Sequence, residues 1–190
     1  MEGMKLSAMR ISGVVLTAIA LAVVPSAYSA DSIEWGRPVN GLRLGAAFGS
    51  DPSKPILRVL LQNVGPAVQE LVIGHSGPSY DSMKFIATAP DGKEEVGLHK
   101  GVYIPIAGLV LPISVSLNAG TTHELELPLK DIIFASRTTT TLDVLVKKGY
   151  SVRVRFEAFQ AEPDWPKLST AKSTNVWIAT VSSGEVSPTR

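Results

Sequence analysis

Tyr150-Ser151-Val152-Arg153-Val154-Arg155-Phe156-Glu157-Ala158 decides the fold. Its apolar members alternate with Ser151, Arg153, Arg155 and Glu157, and a period of two places the two sets on opposite sides of a pleated strand. One side is therefore greasy and the other wet, the signature of a half-buried antiparallel strand. The same rhythm recurs outward in both directions. Leu42-Arg43-Leu44 opens a strand running to Phe48, and Ile56 to Gln62 forms a second that stops at Asn63-Val64-Gly65-Pro66, a turn signal. Gln69 to Ile73 leads into Gly74-His75-Ser76-Gly77-Pro78. Met83 to Ala89 and Glu94 to Leu98 flank Pro90-Asp91-Gly92-Lys93, and Asp-Gly between extended segments predicts a hairpin. Thr122 to Leu127 sets Leu125 and Leu127 against Glu124 and Glu126. Leu142-x-Val144-x-Val146 reads as a further strand ending at Gly149, and Val176 to Val181 closes the set. Only Leu129 to Ser136 hints at helix, at most one or two short turns. About eight strands at near-regular spacing predict an all-β antiparallel sandwich. One domain is expected over residues 30–185, with residues 186–190 as a flexible tail.

The first thirty residues follow another logic. Lys5 and Arg10 precede an apolar run from Ile11 to Val24, then Pro25 and the small-residue stretch Ser26-Ala27-Tyr28-Ser29-Ala30. This is the layout of a cleavable secretory signal. Its apolar core is shorter than the roughly 20 residues of a bilayer-spanning helix. Cleavage after Ser29 puts small side chains, Ala27 and Ser29, at the two positions that need them; the alternative is an uncleaved anchor. The expected location is the periplasm or the extracellular space, with no membrane insertion once residues 1–29 are removed.

Composition narrows the chemistry. There is no cysteine, so neither disulfides nor a cysteine-linked lipid anchor is available. The chain carries 18 basic and 17 acidic residues; removal of Lys5, Arg10 and Glu2 leaves 16 of each. A balanced surface without a basic cluster gives no electrostatic reason to bind nucleic acid. Stability is expected to come from an ordinary apolar core, which about 160 residues suffice to build.

Several segments resemble a group of exported bacterial sandwich domains of unassigned function. Glu34-Trp35-Gly36-Arg37-Pro38-Val39-Asn40-Gly41-Leu42-Arg43-Leu44-Gly45 is similar to their tryptophan-glycine opening. Leu57-x-Val59-x-Leu61-x-Asn63-x-Gly65 resembles their second strand and turn, and Pro90-Asp91-Gly92-Lys93-Glu94 their central hairpin. Gly149-Tyr150-Ser151-Val152-Arg153-Val154 and Trp177 to Val186 are similar to their later strands. The resemblance implies an immunoglobulin-like β-sandwich, distantly similar to proteinase-inhibitor-like modules, and it carries over no catalytic residues.

Four constellations bear on the chemistry. Leu71-Val72-Ile73-Gly74-His75-Ser76-Gly77 leads an apolar strand into a serine, as in a hydrolase nucleophile elbow, but Pro78 replaces the final glycine and no helical pattern follows. His75, His99 and His123 are isolated in sequence, so a metal site requires them to converge in space. Trp165, in Glu162-Pro163-Asp164-Trp165-Pro166, is a candidate contact for a sugar or peptide. The almost wholly apolar stretch from Val102 to Ile113 is either buried between sheets or exposed to a partner. In the second case Tyr103, Ile104, Ile106, Leu109, Val110 and Leu111, with Trp165, form the binding surface. The expectation is a non-catalytic exported module, without cofactor or metal, that binds a protein of the envelope or the outside. The alternatives are a proteinase-inhibitor-like module, or a hydrolase or metal-dependent enzyme using Ser76 or the three histidines.

Overall fold

The computed structural model describes residues 32–75, 82–101, 112–135, 139–157, 177 and 179–188. Within them the fold is all-β, with antiparallel pairing throughout and little helix. A four-stranded sheet joins β1 (Glu34–Trp35), β2 (Leu42–Phe48), β3 (Ile56–Asn63) and β8 (Thr122–Pro128) in the order β1-β2-β3-β8. β4 (Gln69–His75) pairs with β7 (Pro112–Leu117). The third sheet runs β10-β9-β6-β5-β11-β12. Its members are β5 (Met83–Thr88), β6 (Glu94–His99), β9 (Ile132–Ala135), β10 (Thr139–Thr141), β11 (Ser151–Glu157) and β12 (Thr180–Ser182).

The strand expected over Tyr150 to Ala158 is present as β11, Ser151–Glu157, and its alternation behaves as the sequence requires. Val152, Val154 and Phe156 are buried, whereas Ser151, Arg153, Arg155 and Glu157 are only half-buried. The buried side of β11 meets Leu42, Leu44, Ala46 and Phe48 of β2, so the two larger sheets share one apolar core in a sandwich-like arrangement. Met83 and Phe85, Leu57 and Leu61, and Ile132 and Phe134 complete it from neighbouring strands.

The small sheet is not a separate layer but the continuation of the β3–β8 pair. Gln62 faces Thr122 at the end of one ladder, and Gln69 faces Leu117 at the start of the next. Between them the ribbon bends around Asn63, whose carboxamide is fully buried. Its Nδ2 donates to the carbonyls of Ala67 at 2.7 Å and Leu117 at 2.9 Å, and its Oδ1 accepts from the Gly65 N–H at 2.9 Å. The Asn63-Val64-Gly65-Pro66 turn signal thus marks a corner stapled by one side chain. The Asp-Gly hairpin also forms: Gly92 takes φ +85° and donates to Ala89 O at 2.8 Å.

One expectation is corrected. Leu142 to Val146 is not a strand but a short helix, α1 (Leu142–Lys147). Leu142, Leu145 and Val146 are buried while Val144 is exposed, the i, i+3, i+4 spacing of a helix face. The helix closes with Gly149 N–H to Val146 O at 2.9 Å and Tyr150 N–H to Leu145 O at 3.1 Å, with Gly149 at φ +83°. Paired bonds of this kind around a left-handed residue are a strong helix stop. The hint of a helical turn after Leu129 is met by a single 3₁₀ turn, Leu129–Asp131, followed by β9. Near the end of the described residues Val186 is buried and exchanges two 2.8 Å backbone bonds with Val152. The segment before it stitches the two large sheets together: Ser183 N–H donates to Val154 O at 2.9 Å and Gly184 N–H to Glu34 O at 3.0 Å.

Candidate functional site

The outer faces of the two large sheets differ in chemistry, and the difference starts at Gly97. A Cβ there would stand 2.7 Å from the Phe134 ring and 2.9 Å from the Ile133 carbonyl, so only glycine leaves room for that ring in the core. With Gly97 turned inward, its neighbours Val96 and Leu98 are turned outward, 60% and 55% exposed. The register places Ile86 opposite Val96 and Ile133 opposite Leu98. Both belong to the outward set of their strands, since Phe85, Ala87, Ile132 and Phe134 fill the core. On the side of the sheet facing away from the core, Val96 and Leu98 therefore stand exposed, with Ile133 half-buried and Ile86 buried beneath them. Ion pairs flank this block: Lys84–Glu157 at 2.6 Å, Arg153–Glu94 at 3.1 Å and Arg155–Glu157 at 3.7 Å.

The outer face of the four-stranded sheet is polar by comparison. The Trp35 indole packs against Gly45, where a Cβ would approach the ring to 2.8 Å. The Arg43 guanidinium lies over the indole at 4.2 Å and donates from Nε to Gln62 Oε1 at 2.5 Å. Toward β8 a groove of about 500 Å³ is lined by Asp51, Lys54, Arg58, Glu124 and Glu126, among others. Hydrogen bonds from the Ser53 hydroxyl (2.6 Å) and the Ser53 N–H (2.8 Å) hold the Asp51 carboxyl below the usual carboxylate range. Glu124 is lowered as well, first by its hydrogen bond from Arg58, whose Nε lies 2.5 Å from Oε1. Both carboxylates are held as anions, which suits ion recognition better than proton transfer.

The histidines do not share an element. His75 ends β4 opposite Pro112, His99 ends β6 opposite Ile132, and His123 lies on β8 opposite Leu61, so each stands in a different sheet. Among the described residues no three His, Cys, Asp or Glu side chains are grouped as metal ligands. Burial lowers the pKa of His99, and the nearby Asp131 carboxylate pulls it the other way. Ser76, Tyr103, Ile104, Ile106, Leu109, Val110, Leu111 and Trp165 all lie outside the described residues, as do residues 1–29, where a signal is expected. Trp177 is a core residue. It is buried, stacks on Phe156 with 5.6 Å between ring centroids, and donates from Nε1 to Val39 O at 3.2 Å.

The outward aliphatic block is the feature that reading the sequence alone did not find. Its trace is Glu94-Glu95-Val96-Gly97-Leu98, where the position between two apolar residues is a glycine rather than a polar residue. Alternation puts Val96 and Leu98 on one side but is silent on which side faces the core.

No protein-family model matches the chain, and no curated protein matches it. No helix among the described residues is long and apolar enough to cross a membrane.

Proposed function

We propose that this chain is an exported, non-catalytic, immunoglobulin-like β-sandwich module that binds another protein of the cell envelope through the outer face of its six-stranded sheet. The exposed pair Val96 and Leu98, backed by Ile86 and Ile133, carries this reading. Large apolar side chains at outward strand positions gain nothing in water, whereas a contiguous block rimmed by charge is the anatomy of a protein contact. The partner it fits presents its own apolar side chains at the centre and tolerates both signs of charge at the rim, where Glu94, Lys84, Arg153 and Glu157 stand. Export rests on the Lys5–Ala30 pattern and predicts a processed protein that begins at Ala30.

The test is a photo-crosslinking residue at position 96 of the full chain expressed in cells. A discrete adduct that vanishes with Leu98→Asp, at unchanged thermal stability, is the expected result. An adduct that survives Leu98→Asp, or no adduct at all, defeats the sheet-face reading.

A further inference from the structure

An open strand edge of the described fold carries a second inference, on residues separate from the sheet-face block. Among the described residues β8 ends the four-stranded sheet and is bonded to β3 alone. Bonds flanking the ladder fix its parity. Asn63 N–H donates to Thr121 O at 3.0 Å, and Leu129 N–H donates to Pro55 O at 3.0 Å. In an antiparallel ladder alternate residues bond the same neighbour, so Thr121, His123, Leu125 and Leu127 face β3. The backbone N–H and C=O groups of Thr122, Glu124 and Glu126 therefore point to the open edge. Among the described residues no backbone group pairs with them.

Open edges are usually blunted by short length, an internal proline, a bulge or an inward charge. β1 is two residues long and β10 and β12 are three each, so those edges are short; β4 is as long as β8, but its pairing with β7 is broken by a bulge between Val72 and Gly74, and Glu70 O already accepts from the Trp177 N–H. β8 has seven residues in unbroken register and a proline only at its last position. Its one defence is on the outward side, Glu124 and Glu126. That defence is selective. Antiparallel pairing of β8 with its own copy about Leu125 sets Glu124 opposite Glu126, and sliding by one residue pair in either direction sets Glu124 or Glu126 opposite itself. Like charges directly opposite are destabilising, and opposite charges there are stabilising. The adjoining groove has the same bias, with Asp51, Glu124 and Glu126 against Lys54 and Arg58. Arg58 is engaged with Glu124, so Glu126 is the carboxylate an incoming cation meets first.

We propose that β8 accepts an extended segment of a partner protein as an added strand, one with Lys or Arg at its outward positions and apolar residues between them. Backbone bonds to Thr122, Glu124 and Glu126 supply the binding, and the outward carboxylates choose the sequence.

The experiment uses the signal-free chain with two synthetic nine-residue peptides, one alternating Val and Lys and one alternating Val and Glu, followed by amide hydrogen exchange. The Lys peptide should slow exchange at Thr122, Glu124 and Glu126 at least tenfold, and the Glu peptide should not. Glu126→Pro removes an open-edge N–H without touching the bonds to β3, so it should fold normally yet lose the protection. Val96→Asp should leave the protection unchanged, which separates this inference from the sheet-face reading. Protection absent, placed elsewhere, or undiminished by Glu126→Pro overturns it, the last outcome showing attraction of charge without strand addition.

Discussion

Asn63 Nδ2 donates to the backbone carbonyl of Leu117 across 54 positions of sequence, at 2.9 Å and with the carboxamide buried to 0% exposure. The same group reaches Ala67 O, while its Oδ1 takes the Gly65 N–H. One side chain therefore satisfies three backbone groups at the place where the β3–β8 ribbon stops being straight and becomes β4–β7. A buried amide that fills its capacity in this way is costly to remove, because each abandoned backbone group keeps its desolvation penalty.

Asn63→Leu should therefore destabilise the fold by about 3 kcal/mol, from two abandoned carbonyls and one N–H at roughly 1 kcal/mol or more each. The measurement is the urea midpoint at unchanged slope. A loss below about 0.5 kcal/mol, within the range of ordinary surface substitutions, contradicts the corner role.

Gly97→Ala drives a methyl into the Phe134 ring at 2.7 Å and toward the Ile133 carbonyl at 2.9 Å. Overpacking of this kind should cost about 1–3 kcal/mol. Phe134→Leu should itself destabilise, yet combined with Gly97→Ala the loss should be smaller than the sum of the two. Additivity within about 0.5 kcal/mol in that double-mutant cycle is the contrary result.

Gly45→Ala should displace the Trp35 indole, since the new Cβ would meet Ile33 at 2.7 Å and the ring at 2.8 Å. Moving the ring also moves it out from under the Arg43 guanidinium. The readout is tryptophan fluorescence, which should shift to longer wavelength, with a stability loss of about 1–3 kcal/mol. The Trp35→Phe background should abolish the spectral shift, because Trp177 lies in the core on the opposite side of β2.

His99 makes stability depend on pH in one direction. Burial holds its folded-state pKa below the ordinary 6.5, against the pull of Asp131. The unfolded chain therefore takes up the proton first as pH falls. Its contribution is full above pH 6.5, shrinks below it, and levels off once the folded pKa is passed. The denaturation midpoint should fall between about pH 7 and about pH 5, and His99→Gln should flatten that fall. Glu124, also lowered but by Arg58, acts in a separate window: its contribution is lost below its ordinary value of 4.5, as pH falls through the folded pKa. A profile that His99→Gln leaves unchanged assigns the acid loss elsewhere.

How far the sequence carries can be read from two segments with similar alternation. Val152-x-Val154-x-Phe156 and Leu142-x-Val144-x-Val146 both read as strands, and only the first is one. The first runs long enough, with charges on the other side, to exclude a helix. The second is short, and its apolar residues also satisfy the helix spacing through Leu145, so Gly149 and the packing of Leu142, Leu145 and Val146 decide. For the candidate surfaces the division is sharper. Neither Val96 and Leu98 nor the open side of β8 announces itself, because exposure and edge position depend on neighbours far away in the chain.

The amino-acid order alone determined that this is an all-β chain without disulfides, where most of its strands begin and end, and that Asp91-Gly92 makes a hairpin. These follow from backbone freedom and from side-chain period, both local properties. Only the tertiary structure decided that Gly97 admits Phe134 and turns Val96 and Leu98 to solvent, that Asn63 bends one ribbon into two sheets, and that β8 ends a sheet. Each of those depends on which strands lie side by side, and strand partnership is set by contacts between residues distant in sequence.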